Sequence, residues 1–139
     1  MTALMPNQIV LITGASSGIG AACAHFFAKA GARLILSARR KEKLQGLADD
    51  LQRDSQTETL LLPMDMQKAE AVSLAVKGLP EAWQRIDVLI NNAGLSRGLE
   101  KQYENPIQDW EVSIDTNIKG LLYMTRAVVP GMVARGRAH

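Results

Sequence analysis

The chain is expected to fold as an α/β domain, a doubly wound parallel sheet with strand order 3-2-1-4. Three observations predict this. A short apolar run, Ile9 to Ile12, ends in a turn holding Gly14, Gly18 and Gly20, and an amphipathic helical pattern follows at once. Short apolar segments then alternate with helical patterns, which implies parallel strands joined by right-handed crossovers. The positions at or just beyond the carboxyl ends of those segments are glycine or polar: Gly14, Ser37, Asp65 and Asn91.

Each element has its own justification. Gln8 to Thr13 reads as the first strand, and its unbroken apolar run suits burial on both faces. The next helix carries Ile19, Cys23, Phe26, Phe27 and Ala30 at helical spacing, with Gly31 as its cap. Arg33 to Ser37 is the second strand, and Lys41 to about Asp54 a helix with Leu44, Leu47 and Leu51 on one side. Thr57 to Pro63 is the third strand, ending near Asp65. Gln67 to Leu79 is a helix with Val72, Val76 and Leu79 inward, stopped by Gly78 and Pro80. Asp87 to Asn91 is the fourth strand. After a loop from Leu95 to Asn105, one long helix is expected from about Pro106 toward Ala134. Trp110, Ile114, Asn117, Leu121, Met124, Val128 and Met132 fall on one stripe of it.

Composition narrows the function classes. The 139 residues bound the chain at one domain, and 47% hydrophobic with 22% charged residues suits a packed core. A net charge of +2 without a long basic run gives no reason to expect nucleic acid. Cys23 cannot make an internal disulfide, which points to a reducing compartment, and it reads as a small core residue. Met1 to Gln8 hold no long apolar segment, and no run approaches the ~18 residues of a membrane span, so a soluble, cytoplasmic protein without a leader is expected.

The glycine turn carries the first functional reading. Gly14 permits a tight turn, Gly18 lets a diphosphate approach the backbone, and Gly20 lets the helix pack against the strand. The unpaired N–H groups of the first helical turn suit a pyrophosphate. A P-loop would need lysine and then serine or threonine after its last glycine; Ala21 follows Gly20 here, so nucleotide hydrolysis is disfavoured. In a sheet of this order ligands bind at the switch point between strands one and four, where the polar strand ends converge.

The strand ends also suggest which dinucleotide. An NAD site places an acid after strand two, whereas this chain has Ser37-Ala38-Arg39-Arg40-Lys41. A guanidinium can grip an adenosine 2′-phosphate with two hydrogen bonds, so Arg39, assisted by Arg40 or Ser37, predicts NADP. A solvated cluster is the other reading, although cations sit poorly at the positive end of a helix. Asp65 can accept from an adenine amino group or cap the next helix. Asn91 and Asn92 can hold adjacent backbone segments together, while Ala93 and Gly94 leave room for ribose and nicotinamide. Asn117 is the one amide on the long stripe; it either bridges backbone groups at a kink or organises a polar site beside the nicotinamide.

Taken together, Thr13-Gly14-x-x-x-Gly18-x-Gly20, Asp65, Asn91-Asn92-Ala93-Gly94 and Asn117 resemble the short-chain dehydrogenase/reductase family, a Rossmann-like fold, over essentially the whole chain. The segments Leu79-Pro80…Trp83 and Trp110…Asp115-Thr116-Asn117…Lys119-Gly120-Leu121 are similar to its NADP-dependent 3-hydroxy acid branch. The resemblance implies hydride transfer between NADP(H) and a secondary alcohol or ketone, commonly in a homotetramer. It implies Asn117 as a catalytic-site residue. It adds Thr13, Ser16, Ser17, Ile19 and Met66 to a cofactor set of Gly14, Gly18, Gly20, Ser37, Arg39, Arg40, Asp65 and Asn91 to Gly94. No metal is expected.

The family's serine and Tyr-x-x-x-Lys pair are not found: Tyr103 is followed four positions on by Ile107, and Tyr123 by Ala127. These residues therefore read as the cofactor-binding part of a longer enzyme, inactive alone, with strand four left as an open sheet edge. A non-catalytic dinucleotide-sensing module and another α/β small-molecule-binding protein are the alternatives. Leu95 to Glu100 would line one wall of a substrate pocket whose ligand the sequence does not identify.

Overall fold

The computed structural model describes residues 5–97 and 101–139. Four strands, β1 (Ile9–Thr13), β2 (Arg33–Ala38), β3 (Thr59–Pro63) and β4 (Val88–Ile90), form one parallel sheet in the order β3-β2-β1-β4. Register places Ile12 opposite both Leu36 and Ile90, and Thr13 opposite Ser37. The helices are α1 (Gly18–Lys29), α2 (Lys41–Ser55), α3 (Ala69–Lys77), α4 (Ile107–Ile114) and α5 (Leu121–Arg135). The expected doubly wound sheet and its strand order are both present.

Strand alternation divides the core in two. Val10, Ile12, Leu34 and Leu36 turn to one face and pack with Ala24 and Ala28 of α1 and Leu44, Leu47 and Leu51 of α2. Ile9, Leu11 and Ile35 turn to the other and meet Val72 of α3 and Met124, Val128 and Met132 of α5. Successive side chains of a strand point to opposite faces, so a strand covered on both sides must be apolar throughout.

The buried stripe of α1 differs from the expected one. Ile19 is 74% and Phe26 66% exposed, and the fully packed positions are Gly20, Ala24 and Ala28, with Cys23 and Phe27 half-buried beside them. The cause is steric. A Cβ at Gly20 would stand 2.2 Å from the Gly14 carbonyl oxygen, so α1 can reach the turn only with that glycine inward. This fixes the helix rotation, and positions four and eight residues further on must follow it inward. At the far end, Gly31 N–H bonds to Ala28 O and Ala32 N–H to Phe27 O, the paired closure of a Schellman motif.

The long helix is also not one regular helix. Asp115–Gly120 form a π segment between α4 and α5. Its wide turns shift the helical phase, so the stripe does not stay on one face. Met124, Val128 and Met132 are buried as expected, whereas Trp110, Ile114 and Leu121 are exposed. The outer side of β4 is not bare: Leu89 N–H donates to His139 O at 2.9 Å. Among the described residues no helix is long and apolar enough to cross a membrane.

The close approach of α1 gives the first prediction. Gly20→Ala should cost about 3 kcal/mol of stability, as an overpacked backbone contact. Urea denaturation should show a markedly lower midpoint, and a midpoint equal to the parent's would contradict the steric account.

Candidate dinucleotide site

Three chain segments are tied together at the carboxyl ends of β1 and β4. Thr13 is fully buried, and its Oγ1 donates to Ile90 O at 3.3 Å while accepting from Asn92 N and Ala93 N, both at 3.0 Å. Asn92 Nδ2 donates to Thr13 O and Gly14 O, each at 3.2 Å. Gly14 has φ +62°, and a Cβ there would lie 2.8 Å from Ala93 Cα, so glycine is required by both conformation and space. Gly18, at φ +55°, differs: its missing Cβ faces open space. Its backbone is left bare on the side where α1 begins.

The first turn of α1 is presented by this knot. Ser17 occupies the cap position in extended conformation but makes no side-chain capping bond. Intrahelical pairing starts with Ala21 N–H to Ser17 O at 3.3 Å, so the preceding N–H groups keep the partial positive charge of a helix N-terminus.

A cavity of about 340 Å³ opens beside that turn. Of the expected cofactor residues, Gly14, Ser16, Ser17, Ile19, Ser37, Arg39, Arg40, Asp65, Met66, Asn92, Ala93 and Gly94 line it. Ala38, Met64, Gln67, Leu95 and Thr116 line it too, without having been singled out as cofactor residues. The strand-end rule would have reached Ala38, Met64 and Gln67 had it been extended to neighbouring positions; nothing in the pattern marked Thr116. Thr13, Gly18, Gly20, Asn91 and Asn117 do not line the cavity. Thr13 and Gly20 act through the knot. Asn91 Nδ2 turns away to donate to Thr125 Oγ1 at 3.1 Å.

Asn117 is exposed rather than buried, yet both ends of its amide are used. Oδ1 accepts from Leu95 N and Nδ2 donates to Leu95 O, each at 2.8 Å. It thus clamps the chain just after Gly94, at the π segment, which is the bridging role its position allowed. Asp65 does not cap α3, whose N-cap position is Lys68 without a side-chain capping bond; its Oδ1 accepts from Gln67 N at 3.0 Å in the loop before the helix. Arg39 and Arg40 are exposed on the cavity rim, and neither forms an ion pair among the described residues. Gly98 to Glu100, the outer part of the expected substrate wall, lie outside the described residues. No group of three or more potential metal ligands occurs among the described residues.

A parallel sheet in the order 3-2-1-4, with a bare helix N-terminus beside a polar cavity at its switch point, defines a dinucleotide-binding α/β fold. The family model for short chain dehydrogenases matches residues 8–139, and this chain belongs to that family. It is 47% identical over 132 residues to the NADP-dependent 3-hydroxy acid dehydrogenase of Salmonella typhi, covering 95% of this chain and 52% of that protein. The closed form of serine dehydrogenase complexed with NADP+ superimposes with a TM-score of 0.84 at 43% identity, covering 95% of this chain and 52% of that one. L-sorbose reductase from Gluconobacter frateurii, complexed with NADPH and L-sorbose, does so with a TM-score of 0.86 at 32% identity, covering 98% and 51%. The chain spans about half the length of the curated relatives it matches.

The knot generates the second prediction. Thr13→Val keeps the shape but leaves the part-buried Ala93 N–H without an acceptor and Asn92 N–H with only Ile90 O, and should cost about 1–2 kcal/mol of stability. Thr13→Ser should retain most of it. Denaturation curves that coincide for Thr13→Val and the parent would show that the hydroxyl does not hold the strand ends together.

Proposed function

We propose that this chain is the NADP-binding part of an oxidoreductase that transfers a hydride between NADP(H) and a secondary alcohol or ketone. The observation that carries the reading is the pair Arg39 and Arg40. They stand without acidic partners among the described residues, on the same cavity as the bare first turn of α1.

The residues present fit that cofactor. Ser16 to Gly20 would hold the diphosphate through backbone N–H groups, and the open space over Gly18 is what a close phosphate needs. Arg39, with Arg40 and Ser37 beside it, would bind the 2′-phosphate; an ordinary diol would give these cations no charge to meet. Asp65 and Met66 would seat the adenine, and Ala93 and Gly94 the nicotinamide ribose. When bound, NADP(H) supplies or accepts the hydride. Asn117 acts by fixing the Leu95 backbone, and so the wall beyond Gly94. The whole chain is one dinucleotide-binding domain in this reading.

Proton transfer needs groups that these 139 residues do not include, namely the serine and Tyr-x-x-x-Lys that the resemblance implies. The 139-residue polypeptide alone is therefore an inactive cofactor binder in this reading. A 3-hydroxy acid is the substrate class favoured, from the identity to the Salmonella typhi enzyme. Exposed Ile107, Trp110, Ile114 and Leu121 supply an apolar surface suited to self-association as a dimer or tetramer. A cytoplasmic location accords with the absence, among the described residues, of a helix able to span a membrane.

NADPH should bind at least tenfold more tightly than NADH, a difference of ~1.4 kcal/mol, and Arg39→Ala should erase most of that gap. Titration of the parent and the variant with both cofactors decides the matter. Equal affinity of the parent for the two would sink the reading.

A further inference from the structure

A second cavity, of about 550 Å³, opens at the opposite end of the sheet from the dinucleotide site. Its wall takes in Ile9, Arg33 and Asp87, at or next to the residues where β1, β2 and β4 begin. Glu81, Arg85 and Arg137 are its other charged residues.

Different segments bring those side chains together. Asp87 is locked to the start of β1: its N–H donates to Ile9 O, and its Oδ2 accepts from Ile9 N, both at 2.9 Å. Arg33 lies over the buried Trp83 ring, 4.1 Å from its centroid. Its Nε and Nη2 donate to Glu58 and its Nη1 to Ala82 O. The end of α5 is tied to the same place by Arg135, whose Nη2 donates to Ile86 O at 2.6 Å. Just beyond it, Arg137 N donates to Met132 O at 3.2 Å and closes the helix.

The charges on this wall do not cancel one another. Glu58, outside the cavity, holds Arg33 in a bidentate pair, so that cation is already neutralised. Arg85 and Arg137 remain, with Glu81 and Asp87, and no ion pair among the described residues involves any of the four. Arg85 follows Glu81 by four positions, the spacing at which a helix would pair them. Only a single 3₁₀ turn, Glu81–Trp83, forms here, and the chain then bends through a bond from Ile86 N to Gln84 O.

Unlike charges that share a cavity without meeting select against simple ions. A carboxylate that reaches the arginines enters the field of Glu81 and Asp87, and an ammonium that reaches those acids enters the field of the arginines. A molecule carrying one group of each sign finds a charge-assisted hydrogen bond for both. We propose that this cavity binds a zwitterion of the amino-acid class, its carboxylate at Arg85 and Arg137 and its ammonium at Glu81 and Asp87. The site is separate from the dinucleotide cavity and does not rest on the NADP reading.

γ-Aminobutyrate, butyrate and butylammonium share one carbon skeleton and differ in charge. Added to the protein at neutral pH and low salt, γ-aminobutyrate should move the backbone amides of Arg85, Asp87 and Arg137 saturably in NMR spectra. It should bind about tenfold more tightly than either of the other two, since each of them loses one charge-assisted bond. Arg85→Gln and Glu81→Gln should each weaken γ-aminobutyrate about fivefold. Both should leave NADPH affinity and the melting temperature at the parent's values, because both side chains are exposed and neither lines the dinucleotide site. Butyrate binding as tightly as γ-aminobutyrate would mark a plain anion site and overturn the proposal. Unchanged affinity in both variants would overturn it too, as would γ-aminobutyrate giving no saturable shifts or moving only the amides of Ser17 to Gly20.

Discussion

The contact between Gly20 and the Gly14 carbonyl is the constraint on which the rest of the structure depends. No side chain fits between them, since a Cβ on Gly20 would sit 2.2 Å from that oxygen. The start of α1 is therefore pressed onto the end of β1, and its rotation is set. The small residues Ala24 and Ala28 then face the sheet, letting the helix axis stay close along its length. Asn92 completes the arrangement from the other side by bonding Thr13 O and Gly14 O, so that β4, β1 and α1 meet at one point.

That meeting point is why the site lies where it does. Strand order places β1 between β2 and β4, and the two crossovers leave it in opposite directions. A crevice must open outside the strand ends at that place. The knot fills the bottom of the crevice with satisfied hydrogen bonds and leaves the first turn of α1 with bare N–H groups at its edge. The turn between β2 and α2 contributes Arg39 and Arg40 to the cavity, and the loop after β3 contributes Asp65 and Met66. The chain after β4 contributes Asn92 to Leu95, with the Leu95 backbone held by Asn117 of the π segment.

The sheet was legible because β1 and β2 must be apolar on both faces, and such runs stand out between glycine and polar punctuation. The strand ends were legible for the same reason: a polar residue that ends a buried strand has few other places to be. The face of α1 was not. Ile19 and Phe26 carry the hydrophobicity, but the glycine contact outweighs it, and periodicity does not weigh a glycine as a packing residue. The π segment was hidden too, because one widened turn changes the phase of a helix without changing its composition. Trp110 and Ile114 thereby left the stripe that Met124, Val128 and Met132 kept. Thr116 carried no signal at all, since its place on the cavity wall is a property of the packed chain.

The central claim is that the knot holds the first turn of α1 as an anion site for the NADP diphosphate, with Arg39 at the far phosphate. Backbone amide chemical shifts recorded by NMR while NADPH is added to the protein test this most directly. The account predicts that the largest, saturable shifts fall on the amides of Ser17 to Gly20, accompanied by Arg39 and Arg40. Binding that leaves those amides unmoved while shifting residues elsewhere on the sheet would contradict it.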